Sequence, residues 1–216
     1  MVDSKGLTGK VALITGAARF RGIGRAIALR LADDGADIVV CGRPRAPTSF
    51  PAHEQEMGWQ GVASLAEEIR QKGRRALALD CDVTKKEQVV AMVDVVKSEF
   101  GRLDIIVNNA GVPSNAGSSP ILDTEEDVWY ETMNVNVNCV SPGSHDTDMM
   151  DGTIARATEK YHLPDGAYRE QLEKFIPMGR HGKVSELAAA VSFMCSSDVS
   201  YVTGQTINVD GGARLD

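Results

Sequence analysis

The sequence predicts an α/β fold in which one parallel sheet carries helices on both faces, the doubly wound arrangement. Short apolar runs alternate with amphipathic segments through the first half of the chain. This alternation is typical of parallel strands joined by helical crossovers, which are right-handed in nearly all proteins. The chain contains no internal repeat and no low-complexity linker. We therefore predict a single domain over residues 1–216.

The individual elements follow from the apolar pattern. Buried strands are predicted from short apolar runs at residues 11–15, 37–41, 76–80 and 103–107. Apolar side chains recur at helical spacing in three segments, 23–32, 62–72 and 86–100. Gly35 ends the first of these helices. Residues 42–61 contain three prolines and show no periodicity, so they are predicted to form a long loop, with Trp59 packing it down.

The composition excludes several classes of protein. The chain has 216 residues, of which 43% are hydrophobic and 25% charged, and its formal net charge is −7. This acidic balance argues against nucleic-acid binding, which requires a basic surface. No apolar run approaches the length of a membrane span, and the first residues lack the apolar core of a secretory signal. We therefore expect a cytoplasmic protein that binds neither nucleic acid nor membrane.

The four cysteines are widely spaced and include no CxxC pair. This pattern predicts four reduced thiols of the type found in protein cores, with neither a disulfide framework nor a metal site.

A glycine-rich segment, Thr15-Gly16-Ala-Ala-Arg-Phe-Arg-Gly22-Ile23-Gly24, lies between the first strand and the first helix. A dinucleotide needs glycines here: one for the turn, one for close approach of the pyrophosphate and one for packing of the helix on the strand. The helix N-terminus then presents N–H groups and a positive dipole to the phosphates. Taken alone, the segment is also consistent with a glycine-rich turn that binds no ligand.

Together with later motifs, this segment makes the sequence resemble the short-chain dehydrogenase/reductase family from about Gly9 to Gly212. The later motifs are Asp82-Val83-Thr84, Asn108-Asn109-Ala110-Gly111, Ser141-Pro142-Gly143 with Thr147, and the tail segments 176–182 and 202–212. The resemblance implies a Rossmann-type fold. It also implies hydride transfer between a nicotinamide cofactor and a small-molecule carbonyl or alcohol substrate.

The candidate cofactor-binding residues lie on these motifs and at the end of the second strand. They are Gly16, Arg19, Gly22, Ile23, Gly24, Arg43, Asp82, Val83, Asn109, Ala110, Gly111, Pro142, Gly143 and Thr147. The resemblance implies that Asp82 accepts a hydrogen bond from the adenine amino group with Val83 beside the ring, and that Thr147 bonds the carboxamide or a phosphate. An alternative for Asp82 is a turn or capping residue.

The glycine-rich loop departs from the family pattern in its length. Family members usually have three residues between Thr-Gly and Gly-x-Gly, whereas this chain has five, residues 17–21. We expect Phe20 and Arg21 to be looped out or to cover the cofactor.

The end of the second strand indicates which cofactor is used. An acidic residue there binds the ribose 2′-hydroxyl of NAD and repels a 2′-phosphate. This chain has Gly42 where NAD-using members of the family commonly carry Asp, and Arg43 and Arg45 follow it. Because arginine pairs well with a phosphate dianion, we favour NADP(H) over NAD. The alternative is that both arginines are solvated loop residues.

The residues that transfer the proton are missing. The family's chemistry uses a Tyr with a Lys four residues later, plus a Ser and an Asn. None of the four tyrosines has a Lys at that spacing. By resemblance, Asn136 is the catalytic asparagine, yet residues 138–143 match the end of the family's sixth strand. We therefore infer that about 60 residues, two βαβ units, are absent at a junction near 136–138.

The junction still allows a foldable chain. Residues 135–140 alternate and are rich in β-branched side chains, so a replacement strand beside the fourth strand is predicted, reached through a helix near 124–133. The deleted helices normally cover one sheet face and form the oligomer interface. Their loss would expose apolar surface that favours aggregation or protein binding, and a homo-oligomer would form without its usual interface. Residues 148–175 are expected to form a mobile substrate lid, and His145 to be an exposed spectator.

Three functional interpretations follow. The chain is an oxidoreductase by descent with impaired turnover, a non-catalytic NADP-binding module, or an interaction protein that binds no cofactor. The intact glycines and the Asn108-Asn109-Ala110-Gly111 motif count against the third.

Overall fold

The computed structural model describes residues 6–111 and 138–214. The chain divides into two compact units, a first unit of residues 1–111 and a second unit of residues 112–216. The predicted helix near 124–133 and the predicted catalytic residue Asn136 lie outside the described residues.

The first unit is built on a parallel four-stranded sheet, as the sequence predicts. Its strands are β1 (Val11–Thr15), β2 (Asp37–Gly42), β3 (Ala76–Asp80) and β4 (Ile105–Val107). Their order across the sheet is β3-β2-β1-β4. The two central strands, β1 and β2, are buried almost throughout, which explains their unbroken apolar sequences.

The helices of this unit are α1 (Ile23–Asp33), α2 (Ala52–Glu56), α3 (Val62–Gln71) and α4 (Lys86–Phe100). Three of them, α1, α3 and α4, cover the two faces of the sheet. On one face, Met92 and Val96 of α4 pack in a core cluster with Leu13 of β1 and Val39 of β2. Since successive strand residues point to opposite faces, the intervening residues of β1 and β2 face α1 and α3, which contact these strands. The doubly wound arrangement is therefore confirmed in this unit.

Two boundaries in the first unit differ from the predictions. The strand predicted at 103–107 begins at Ile105, because the Asp104 carboxylate accepts a hydrogen bond from the Val11 main-chain N–H at 2.9 Å. The segment 42–61 is not all loop: it contains a 3₁₀ turn at Pro47–Ser49 and helix α2. A helix of five residues is too short to show a period in the sequence.

The second unit contains a two-stranded parallel sheet of β5 (Cys139–Pro142) and β6 (Thr206–Val209). Its helices among the described residues are α5 (Asp148–Lys160), α6 (Ala167–Lys174) and α7 (Val184–Cys195). The predicted lid, 148–175, thus corresponds to α5 and α6.

The prediction that residues 135–140 form a strand beside the fourth strand is wrong for the described residues. Cys139 begins a strand that pairs with β6 in the register Cys139↔Thr206. Asn138 explains this choice, because its side-chain amide donates to the Val202 carbonyl at 2.9 Å and accepts from the Gln205 N–H at 3.2 Å. These two bonds fix the start of β5 against the segment that leads into β6.

The four cysteines are thiols outside any disulfide, as predicted, but they are not all core thiols. Cys41 and Cys81 are buried, whereas Cys195 is half-buried and Cys139 is exposed. Burial raises the pKa of the Cys41 thiol to about 11, with a smaller contribution from the neighbouring Cys81. Within the described ranges, no helix is both long and apolar enough to cross a membrane.

Candidate functional site

The glycine-rich loop leaves the carboxyl end of β1 and packs against the chain that follows β4. Gly16 has a φ of +69°, and a Cβ at this position would lie 2.6 Å from the Ala110 Cα. A Cβ on Gly24 would lie 2.6 Å from the Asn109 side-chain nitrogen and 2.9 Å from the Ala17 Cα. Both positions therefore require glycine for reasons of space, and Gly16 also for its backbone conformation.

Thr15 and Asn109 connect the two segments by hydrogen bonds. The Thr15 hydroxyl accepts bonds from the main-chain N–H groups of Asn109 (3.1 Å) and Ala110 (3.0 Å). The Asn109 side-chain amide donates to the carbonyls of Thr15 (2.8 Å) and Gly16 (3.2 Å). Asn109 therefore holds the glycine-rich loop in place. The sequence predicted only a cofactor-binding role for Asn109, because the spacing of residues along the chain does not reveal hydrogen bonds to a distant segment.

The first turn of α1 is suited to an anion. Gly22 is its N-cap residue and has no side chain to occupy the free N–H groups of the turn. The first turn, which begins with Ile23 and Gly24, contains no acidic residue. The positive end of the helix dipole is therefore not neutralised by its own sequence, which favours a phosphate there.

Arg19 and Phe20, in the lengthened part of the loop, contact the 42–61 segment. The Phe20 main-chain N–H donates to the Glu54 carboxylate at 2.7 Å, and the Arg19 guanidinium lies 3.3 Å from the same group. The Phe20 ring meets the Trp59 ring edge to face, with 5.2 Å between centroids. The Trp59 indole N–H donates to the Ala18 carbonyl at 2.8 Å. The prediction that Trp59 packs this segment down is confirmed.

Three arginines gather near the carboxyl end of β2. A Cβ on Gly42 would lie 3.2 Å from the Ala18 Cβ, so the end of this strand lies directly against the loop. Partial burial holds the pKa of the Arg45 guanidinium below its ordinary value, and the positive charges of Arg19 and Arg43 add to this effect. Residues 41–45 include no acidic side chain. The end of β2 is therefore a basic site.

Asp82, after β3, is organised as a turn residue. Its Oδ1 accepts hydrogen bonds from the Thr84 hydroxyl (2.8 Å) and the Thr84 N–H (3.0 Å). The Thr84 hydroxyl bond is the main reason that the pKa of the Asp82 carboxyl is below its usual value. Val83 beside it is exposed. This geometry is the one expected of Asp82 as a turn residue, the alternative to adenine binding. Both bonds are accepted by Oδ1, so these turn bonds do not involve the other carboxylate oxygen.

The candidates in the second unit cluster at the end of β5. A Cβ on Gly143, which follows Pro142, would lie 2.5 Å from the Asp210 Cβ. The Thr147 hydroxyl caps α5 by accepting a hydrogen bond from the Met150 N–H at 3.2 Å.

His145 is buried, with Nδ1 2.9 Å from the Gly143 carbonyl, so its predicted role as an exposed spectator is wrong. Packing of its ring against Gly182 accounts for the burial.

The structure thus brings eleven of the predicted residues to the carboxyl edge of the first unit's sheet. They are Gly16, Arg19, Gly22, Ile23, Gly24, Arg43, Asp82, Val83, Asn109, Ala110 and Gly111. Residues missed by the sequence analysis are Thr15 as a hydrogen-bonding centre and Glu54. Glu54 carried no recognisable signal, because it lies in a segment without periodicity and its complete burial is a tertiary property.

Two protein-family models together match nearly the whole chain. The model described as short chain dehydrogenase matches residues 10–152, and the model described as Enoyl-(Acyl carrier protein) reductase matches residues 134–214. The chain is 28% identical to Glucose 1-dehydrogenase 2 of Bacillus subtilis over 268 aligned residues, covering 98% of this chain and 97% of that protein. It is 26% identical to a 3-oxoacyl-(acyl-carrier-protein) reductase of Staphylococcus aureus over 260 residues, covering 95% and 98%.

Solved structures of similar proteins include complexes with nicotinamide cofactors. L-sorbose reductase from Gluconobacter frateurii, complexed with NADPH and L-sorbose, matches with a TM-score of 0.71 and 25% identity, covering 97% of this chain and 98% of that one. A short chain dehydrogenase from Burkholderia cenocepacia, in complex with NADP, matches with a TM-score of 0.67 and 27% identity, covering 97% and 99%.

Proposed function

The chain belongs to the short-chain dehydrogenase family, and we propose that it binds NADP(H) at the carboxyl edge of the first unit's sheet. The observation that carries this proposal is the combination of a glycine-rich loop at a helix N-terminus with an arginine cluster at the end of β2. The relatives whose structures contain NADPH or NADP support the same cofactor. When bound, the nicotinamide would supply or accept a hydride, the chemistry of NAD(P)-dependent oxidoreductases.

Each part of the site has a physical role in this proposal. Gly22 leaves the N-terminus of α1 open to the pyrophosphate, and the first turn of α1 donates N–H groups to it. Gly16 and Gly24 let the loop pack closely on the segment after β4. Arg43 and Arg45, with Arg19 beside them, bind the 2′-phosphate. Asp82 and Val83 contact the adenine, with Asp82 offering the carboxylate oxygen that does not serve its turn.

The test compares two cofactors that differ only in the 2′-phosphate. We expect NADPH to bind this chain about 10–100-fold more tightly than NADH in fluorescence titrations, because a charge-assisted phosphate contact contributes about 1.5–3 kcal/mol. Arg43→Gln is expected to remove much of the difference by weakening NADPH alone. Equal affinities, or tighter binding of NADH, would contradict the proposal.

A second candidate function is an NADP-binding module without catalysis. It is favoured by the absence of any Tyr with a Lys four residues later, since proton transfer to or from the substrate oxygen then lacks its family donor. The alignments with the two curated relatives are longer than this chain of 216 residues, so parts of those proteins have no counterpart here. A catalytic role for Asn136 would require that another group supply the proton that the family's tyrosine exchanges with the substrate. A cytoplasmic location remains part of the proposal.

A further inference from the structure

Glu54 is a buried carboxylate that the proposed cofactor chemistry does not use directly. It lies on α2, within the segment 42–61 that joins β2 to α3, and it is fully shielded from solvent. A carboxylate in such a position is costly unless its charge and its oxygen atoms are all satisfied. Both oxygens are satisfied by one partner, the extended glycine-rich loop: Oε1 accepts from the Phe20 N–H (2.7 Å) and Oε2 from the Arg19 guanidinium (3.3 Å).

Other residues of the same segment hold the same part of the loop. Trp59 donates to the Ala18 carbonyl and packs against the Phe20 ring. A Cβ on Gly61 would lie 3.6 Å from the Ala18 Cβ, which places the end of the segment in contact with the loop as well. Each of the loop residues 18–20 is therefore held by a contact with the segment 42–61. The longer glycine-rich loop and this segment are packed together.

Glu54 also pairs with Arg19, one of the three arginines near the end of β2. Its contact with Arg19 uses one terminal nitrogen, Nη1, and the Arg19 side chain remains about one-third exposed (33%). The remaining N–H donors of a planar guanidinium fixed in this way are available to a second anion. Arg19, Arg43 and Arg45 bring three positive charges, against the Glu54 carboxylate and Asp82, which interacts with Arg43. The remaining positive charge favours a phosphate.

We propose that Glu54 is a positioning residue for the 2′-phosphate of NADP(H): it clamps Arg19 and the loop so that Arg19 stands preoriented beside Arg43 and Arg45. The inference rests on the proposed NADP(H) binding. Glu54 does not contact the ribose itself, because it is fully buried and both its oxygens are engaged. Preorientation strengthens binding because fewer side-chain rotamers are immobilised when the ligand arrives.

The test uses 2′,5′-ADP and 5′-AMP, which differ by the 2′-phosphate alone, with the full chain and calorimetric titration. We expect Glu54→Gln to weaken 2′,5′-ADP about 10-fold while 5′-AMP changes less than about 2-fold, a selectivity loss of about 1.4 kcal/mol. Glu67→Gln is the matched control, because Glu67 also pairs with an arginine, Arg70, at 3.3 Å but is exposed. It should leave both affinities unchanged.

The outcomes separate this inference from the proposed function. If the wild-type chain does not distinguish 2′,5′-ADP from 5′-AMP, NADP(H) binding at this site is wrong. If the wild type distinguishes them and Glu54→Gln keeps or improves the ratio, the positioning role alone is overturned.

A second variant covers the case in which Glu54→Gln does not fold. Arg19→Gln should lose the same selectivity, and in that background Glu54→Asp should cause no further loss, as expected of two residues acting as one unit. Retention of selectivity by Arg19→Gln, or an independent further loss, would assign Glu54 to folding and overturn the proposal.

Discussion

Gly24 shows how little space separates the glycine-rich loop from the segment after β4. An added Cβ would lie 2.6 Å from the Asn109 side-chain nitrogen and 2.9 Å from the Ala17 Cα. The Ala17 N–H is bonded to the Cys41 carbonyl at 3.2 Å, so moving this backbone would strain that bond. Displacing Asn109 would break its bonds to the carbonyls of Thr15 and Gly16. One methyl group at this position is therefore enough to disturb both sides of the proposed site.

We expect Gly24→Ala to lower the free energy of unfolding by about 1–3 kcal/mol, the usual cost of overpacking. The same change should weaken NADPH at least about 10-fold, because the loop that carries the phosphate N–H groups is displaced. Gly152→Ala is the control: it is also a helical glycine, but the nearest atom to its added Cβ is the flexible end of Arg156, at 3.4 Å. Its substitution should stabilise the chain by about 0.5–1 kcal/mol. A Gly24→Ala variant with unchanged melting and NADPH affinity would contradict this account.

Among the elements, β4 is held at its start by the polar contacts of the Asp104 carboxylate, which together are called the lock. The Asp104 carboxylate accepts hydrogen bonds from Arg102 and from the Val11 N–H of β1, and it also pairs with Lys10. The Arg102 hydrogen bond is the largest reason that the pKa of Asp104 is lowered to about 2, from an ordinary value of 3.8. The lock therefore joins two neighbouring strands at the end opposite the proposed site.

This lock predicts the direction of a pH effect on stability. Because the folded-state pKa lies below the unfolded one, Asp104 stabilises the fold fully above pH 4 and loses this effect as pH falls from about 4 to about 2. Since the Arg102 side chain is exposed and that of Lys10 is half-buried, we expect a contribution of only about 1 kcal/mol. In urea melts, Asp104→Asn should lose about that amount at pH 7 and little at pH 2. Asp33→Asn, which breaks an exposed pair with Lys72, should change stability by less than about 0.5 kcal/mol. An equal loss for Asp104→Asn at both pH values would rule out this ionisation as the cause.

The elements of the first unit were largely predictable, and the reason is local. A strand buried on both faces must be continuously apolar, and a helix packed on one face must repeat at about 3.6 residues. Both requirements are visible along the chain in β1, α1 and α4 without knowledge of any partner. The helix α2 was missed because five residues cannot show a period. Its contacts are the bond of Glu54 to the glycine-rich loop and the bond of Gln55 to the Phe50 carbonyl just before the helix.

For the molecule as a whole, we expect cofactor binding without turnover. The first unit supplies the proposed NADP(H) site, while the chain has no Tyr and Lys at the family's spacing. Purified chain mixed with NADPH and a panel of ketones, or with NADP and the corresponding alcohols, should show no change in absorbance at the nicotinamide band above background. Arg43→Gln is a suitable control for trace contamination, since real turnover would decrease in it. Cofactor-dependent turnover at a rate normal for such enzymes, about 1 per second or more, would show that another residue replaces the tyrosine.

The sequence by itself determined the parallel sheet of the first unit, the place of the glycine-rich loop and the basic end of β2. These features depend on residue size, charge and spacing within short segments, which the chain order displays directly. Only the tertiary structure decided that β5 pairs with β6, that His145 is buried, and that Asn109 and Glu54 hold the loop. Each of these depends on a partner distant in sequence, and a contact between distant residues leaves no periodic trace in the order of the residues.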